Sequence, residues 1–271
     1  MAVALVTVTP LALIAQSQTE RGENAWKAAT AFALQGKADS ALGAFEQARN
    51  VARAIPDSVL LAASYRGAAE VHSVYRGCRD SSLALLRKAV EVSIAGDRGA
   101  GQILIRALAA AGKNAEAREA HTALYADIKD QVPRSISRES IGYLSALAAI
   151  QRSAGQQAAA LSTLQNARMI ADRLASGDDS TVKYATTDIT SLNYWVTYEM
   201  AQLMLTSKVK GVSAPTEGKA LMDAVARATD EPEEGNQRRF KVFRLSDRLV
   251  VNAWRCEMSG EKCPLPPPGK C

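Results

Sequence analysis

Residues Ala29 to Ala48 read ATAFALQGKADSALGAFEQA, two apolar, alanine-rich runs on either side of Gly36. After Gly36 comes a small residue at plus five (Ala41), a bulky one at plus nine (Phe45) and alanine at plus twelve (Ala48). The phrase recurs from Gly77 with Ser82, Leu86 and Ala89, from Gly112 with Ala117, His121 and Leu124, and from Gly155 with Ala160, Leu164 and Ala167. These glycines lie 41, 35 and 43 residues apart, the scale of a two-helix repeat.

The spacing has a physical cause. Where two antiparallel helices cross closely, the contact position takes only a small side chain, and the bulky residue one turn on fills the space beside it. Glycine in the turn supplies the positive φ that ends the first helix without a Cβ penalty. Further breaks follow each second helix, at Ile55-Pro56-Asp57, Ala95-Gly96-Asp97, Val132-Pro133-Arg134 and Ser176-Gly177-Asp178. Alanine-rich segments such as Ala107–Ala111 favour helix, and period-two runs of β-branched residues are scarce. Only 5% of the chain is aromatic, which suits a thin core packed from Ala and Leu.

The phrase resembles that of the tetratricopeptide repeat (TPR) family. Ala28, Ala29 and Phe32 stand where that family places its Leu-Gly…Tyr trio, and Gly36, Ala41, Phe45 and Ala48 match its second half. Leu147, Ala148, Gly155, Ala160, Leu164 and Ala167 repeat the match, whereas Glu70 and Ile105 occupy positions where the family has a small residue. The resemblance covers residues 25 to about 230 and implies an all-α fold. The expected architecture is a right-handed α-solenoid of about five antiparallel helix pairs over residues 22–235, a capping helix at 236–258 and a Cys/Pro-rich tail at 259–271. The family's groove positions fall on Trp26, Thr30, Leu34, Gln102, Arg106, Ser145, Ala149 and Arg152, which are the expected partner-binding residues of a concave face. They do not form the family's basic-plus-Asn clamp for C-terminal carboxylates.

Toward the C-terminus, Thr187–Thr206 reads as an amphipathic helix whose Tyr194, Trp195 and Tyr198 pack into the core, and Thr216–Thr229 as its pair. Asn236 is the expected N-cap of the last helix, with a strand pair as the other option for this segment. Arg238, Arg239, Lys241, Arg244, Arg248 and Arg255 give that helix a polar outer face. Read instead as a functional patch, they would suit an acidic partner, anionic lipid or nucleic acid.

Residues 1–15 are uncharged and apolar, and the chain turns polar at Gln16. This suits either the hydrophobic region of a secretory signal cut near Ala15, although no basic residue precedes Arg21, or an apolar helix on the first repeat. Four cysteines, Cys78, Cys256, Cys263 and Cys271, are candidates for disulfides in an exported protein, with free thiols and a metal site as alternatives. Their gaps are not those of a structural zinc site.

The formal charge is +5, but 28 acidic residues are interspersed among 33 basic ones, which excludes a dedicated nucleic-acid surface. No metalloprotease, nucleophile-elbow, phosphate-loop or dinucleotide motif occurs. Gly96–Gly101 reads as an inter-helix turn, and His121 as a core imidazole. The expected function is therefore a non-enzymatic protein-protein interaction scaffold or accessory subunit of a bacterial-type cell envelope, binding a protein or peptide without cofactor or metal. The membrane would be met only through the N-terminal segment or a larger complex. The alternative is an enzyme or metal protein using His72, His121 and the tail cysteines.

Overall fold

A computed structural model describes residues 10–94, 97–132, 135–176, 186–228, 244–261, 263 and 271. Among them are eleven helices and no strand: α1 (Pro10–Leu34), α2 (Ala38–Ala54), α3 (Ser58–Tyr75), α4 (Arg79–Val92), α5 (Gly99–Ala110), α6 (Asn114–Leu124), α7 (Arg138–Ser153), α8 (Gln157–Ser176), α9 (Thr186–Thr206), α10 (Pro215–Ala228) and α11 (Leu245–Met258). The chain forms two compact units, Met1–Ala100 with Pro266–Cys271, and Gly101–Leu265.

All four phrase glycines adopt positive φ: 75° at Gly36, 62° at Gly77, 75° at Gly112 and 78° at Gly155. A Cβ on Gly36, Gly112 or Gly155 would meet nothing within 4 Å, so backbone conformation rather than space selects glycine there. At these three turns the amide after the glycine donates back to a carbonyl five residues earlier, Lys37 to Phe32, Lys113 to Leu108 and Gln156 to Gln151, closing the helix end. At Gly77 the corresponding bond runs from Cys78 to His72, one residue longer.

The crossing positions are buried as their spacing requires. Ala41, Ala117 and Ala160 are fully covered and Ser82 nearly so, with Phe45, Leu86, His121 and Leu164 beside them. In the first unit the Phe45 ring lies over Gly67 of α3, where a Cβ would stand 2.2 Å from Cζ. Leu124 is only half-buried and covers Gly101 of α5 in the second unit. Chain neighbours pack as α1·α2, α2·α3 and α3·α4 in the first unit and as α6·α7, α7·α8, α8·α9, α9·α10 and α10·α11 in the second, and the pairs α1·α3 and α7·α9 meet as next but one. Tyr75 on α3 donates to the carbonyl of Ala33 on α1, and Ser153 on α7 to that of Ala109 on α5, each at 2.5 Å. Donor and acceptor stand two and three residues before a turn glycine in both cases, so one bond recurs at the same repeat position and satisfies a helix-end carbonyl.

Several local expectations change. Gly99, Ala100 and Gly101 open α5 rather than forming a turn, with Asp97 Oδ1 accepting from the Gly99 amide at 2.9 Å; residues 95 and 96 lie outside the described ones. Asn236, Arg238, Arg239 and Lys241 also lie outside them. The last helix starts at Leu245 with Arg244 at its N-cap. α1 runs without a break through the expected cut near Ala15, and residues 1–9 are not described. No described helix is long and apolar enough to cross a membrane.

The cysteines are joined as Cys78–Cys271 and Cys256–Cys263, leaving no free thiol. This resolves a pairing that spacing leaves threefold ambiguous. Two such bonds belong to an oxidising, exported environment.

Candidate functional site

The second unit contains a buried ionic cluster that helix packing assembles from distant segments. α9 is apolar on most sides and is covered by α7, α8 and α10, so whatever polar group it carries needs a partner inside. Its one acidic side chain past Asp188 is Glu199, 6% exposed, which lies one turn after Trp195 and beside Tyr198. α5 brings Arg106 to this face, α7 brings Arg152, and the start of α11 brings Arg244 and Asp247.

Arg106 is 5% exposed, donates from Nη2 to Glu199, and stands 3.5 Å from Asp247 Oδ2. Its guanidinium lies over the Trp195 ring, 4.2 Å from the centroid, a cation–π arrangement that suits a desolvated arginine. Arg152 Nη1 approaches Glu199 Oε2 at 3.4 Å. Asp247 accepts three times from Arg244: from the backbone amide and Nε, both at 3.1 Å on Oδ2, and from Nη2 at 2.9 Å on Oδ1. It therefore caps α11 and holds the arginine fork in one place. The Tyr198 hydroxyl lies 3.4 Å from Asp247 Oδ1.

Burial pushes the Asp247 carboxyl up, but the Arg244 and Arg106 guanidiniums and the hydrogen bonds from Arg244 outweigh it and hold the group at about 2. Burial lowers the Arg106 pKa, with repulsion from Arg244 next and attraction to Glu199 and Asp247 opposing. Burial, then the Asp247 and Glu199 charges, push the Tyr198 phenol far up, so it stays protonated.

Over this cluster opens a pocket of about 190 Å³. Arg106, Arg152 and Arg244 line it, with Ala109 and Ala110 of α5 and Ala149 and Ser153 of α7. Among the described residues, the charged part of the wall is Arg106, Arg152 and Arg244.

Three of the residues expected on a binding face, Arg106, Ala149 and Arg152, thus meet in one pocket. Two of their neighbours turn inward. Gln102 donates to the Tyr125 hydroxyl at 2.9 Å, and Ser145 is buried with no hydrogen-bond partner for its hydroxyl. Arg106 itself is a buried ion-pair centre and not a surface side chain, because two carboxylates on later helices close over it. Trp26, Thr30 and Leu34 lie on α1 in the first unit, all half-buried, with Thr30 Oγ1 bonded to the Trp26 carbonyl at 3.0 Å. Arg244 was expected on an outer polar face and is instead a pocket wall, while Arg255 turns toward the Ala226 carbonyl of α10. Sequence reasoning missed Glu199 and Asp247; the signals were a lone carboxylate in the apolar run of α9 and an acid three residues after an arginine at a helix start.

The histidines and cysteines are otherwise engaged. His121 packs between Tyr125 and Tyr143, with Nε2 3.2 Å from the Tyr143 carbonyl, and burial lowers its pKa. In the first unit, burial and then Arg76 and Arg49 lower that of His72. Glu261 approaches the sulfurs of Cys256 and Cys263, but their disulfide leaves no thiolate for a metal.

No protein-family model and no curated protein matches the chain.

Proposed function

We propose that the protein is a non-enzymatic interaction protein of the cell envelope, built as a TPR-like right-handed solenoid and binding a protein or peptide partner on the first-helix face of its second unit. Four positive-φ glycine turns support the repeat, as do packing between chain neighbours and the recurring Tyr75–Ala33 and Ser153–Ala109 bonds. The two disulfides support export. The observation that carries the binding role is the meeting of Arg106, Ala149 and Arg152 in one cationic pocket. Arginine forks beside small side chains are suited to gripping a partner group while leaving room for it.

The test is capture of partners from envelope extract by the full, oxidised chain. Arg152→Gln and Ala149→Glu should each lower capture at least about tenfold, the size of one lost charge-assisted contact. Ala159→Glu, at an exposed position of α8, should leave it unchanged. If the two pocket variants melt like the parent and capture equally well, the reading is wrong.

A further inference from the structure

The two disulfides are alike in access and opposite in setting. Each joins an exposed cysteine, Cys271 or Cys263, to a half-buried one, Cys78 or Cys256. Cys78 is the N-cap of α4, where the first-turn amides and the positive end of the helix dipole favour a thiolate, and its oxidised side chain makes no capping bond. Cys256 lies in the last turn of α11, at the negative end, and Glu261 brings a carboxylate oxygen within 4.8 Å of both sulfurs of its bond. Both features disfavour a thiolate there. Charged side chains next to Cys78 do not reverse the contrast: Arg76 pairs with Asp39, and Arg79 is followed by Asp80 in the first turn of α4. Span differs as well. Cys256 and Cys263 are 7 residues apart and meet again through local chain alone, whereas Cys78 and Cys271 are 193 apart and depend on the fold to bring them together.

We propose that Cys78–Cys271 is a redox clasp, opened by dithiols ahead of Cys256–Cys263. A thiolate of the dithiol attacks the exposed Sγ of Cys271, the S–S bond breaks, and its electron pair leaves on Cys78 Sγ at the start of α4. The second thiol of the reductant, its proton lost to solvent, then attacks its own sulfur in the mixed disulfide and releases Cys271 as a thiolate. Two electrons pass to the protein and the dithiol ends as a disulfide. Both cysteines of the clasp belong to the first unit, yet the loop between them contains the whole of Gly101–Leu265, the second unit. Closed, the clasp ties the second unit to the first through both ends of its chain; open, the backbone at Ala100–Gly101 is the one remaining covalent link. This device does not depend on the binding role of the arginine pocket.

The test equilibrates the full oxidised chain, without denaturant at pH 7, in buffers of graded reduced-to-oxidised dithiothreitol, then alkylates it for peptide mapping. Cys78 and Cys271 should reach half alkylation at a ratio at least about tenfold lower than Cys256 and Cys263 require, equivalent to about 30 mV for a two-electron couple. Limiting glutathione should leave its mixed disulfide on Cys271. In Cys271→Ala and Cys263→Ala variants, which free one half-buried thiol each, iodoacetamide at pH 7 should modify Cys78 at least about tenfold faster than Cys256, a difference in thiolate content that a merely structural bond would not show. Should either variant fail to fold, the titration of the parent chain decides. The clasp is overturned if the two bonds reduce together or in the reverse order, or if Cys78–Cys271 opens only as the helical circular dichroism is lost. Glutathione carried on Cys78, or a Cys78 no faster than Cys256 in folded variants, would overturn it equally.

Discussion

Two helix crossings in this protein fill the same kind of space with opposite chemistry. In the first unit, Ala41 lets α2 approach its neighbours and the Phe45 ring settles on Gly67, a contact made of dispersion and displaced water. In the second unit, α5, α7, α9 and α11 meet around Arg106, Glu199 and Asp247, where each charge is tolerable only because the others are present. The first arrangement is permissive in sequence and pure scaffold. The second is demanding, and three of its arginines line a pocket. The same helix-pair plan thus closes one crossing with apolar contacts and another with buried ion pairs.

The sharpest way to break the apolar crossing is Ala41→Glu. A carboxylate and its stem would enter a fully covered position, costing roughly 5 kcal/mol from overpacking and desolvation together. Urea unfolding followed by helical circular dichroism should show the first unit melting far earlier, while Ala159→Glu stays within about 0.5 kcal/mol of the parent. A parent-like midpoint for Ala41→Glu would remove the crossing from the argument.

For the polar crossing, Asp247→Asn should cost about 4 kcal/mol, because Arg106 would keep only Glu199, Arg244 would lose its ion pair with Asp247 and the α11 cap would weaken. The same urea experiment reads this in the second unit. A loss under about 1 kcal/mol would mean that solvent reaches the cluster and the pairing is not structural.

Acid should separate the two crossings without mutation. Asp247 is held at about 2 when folded and returns to its ordinary range near 4 when unfolded. Its share of stability, about 2 kcal/mol, is therefore complete above pH 4 and lost as the pH falls toward 2. His121, whose pKa burial lowers, adds an earlier decline as the pH drops below its unfolded value of about 6.5. Urea midpoints of the second unit measured from pH 7 to pH 2 should follow this course; a flat profile between pH 4 and pH 2 would contradict the burial of Asp247.

The smallest effect concerns the turns. Gly36→Ala meets no neighbouring atom and should cost only about 1 kcal/mol, the strain of a side chain at φ 75°. A cost several times larger would show that packing, and not backbone conformation, selects glycine there.

Legibility followed range. Glycine spacing, the small residue at plus five and the helix breaks are local signals, and they located the helix pairs, the buried crossing residues and the glycine turns. Gln157, the first residue of α8, shows the limit of such signals, since it accepts from the Ser207 hydroxyl of a loop 50 residues on, at 2.5 Å. Arg106 shows it more strongly. Register put it on a partner-binding face, yet it is a buried ion-pair centre whose partners are 93 and 141 residues away, and no spacing rule spans such distances.

By itself, then, the amino-acid sequence determined an all-helical chain of short pairs, because positive-φ turns and close helix crossings restrict which residues can stand at fixed intervals. Only the tertiary structure decided that Cys78 joins Cys271 and Cys256 joins Cys263, that Glu199 and Asp247 are buried, and that Arg106, Arg152 and Arg244 share a pocket. Charges and thiols act on whatever lies within a few ångströms, and those neighbours are set by the packing of helices far apart in the chain.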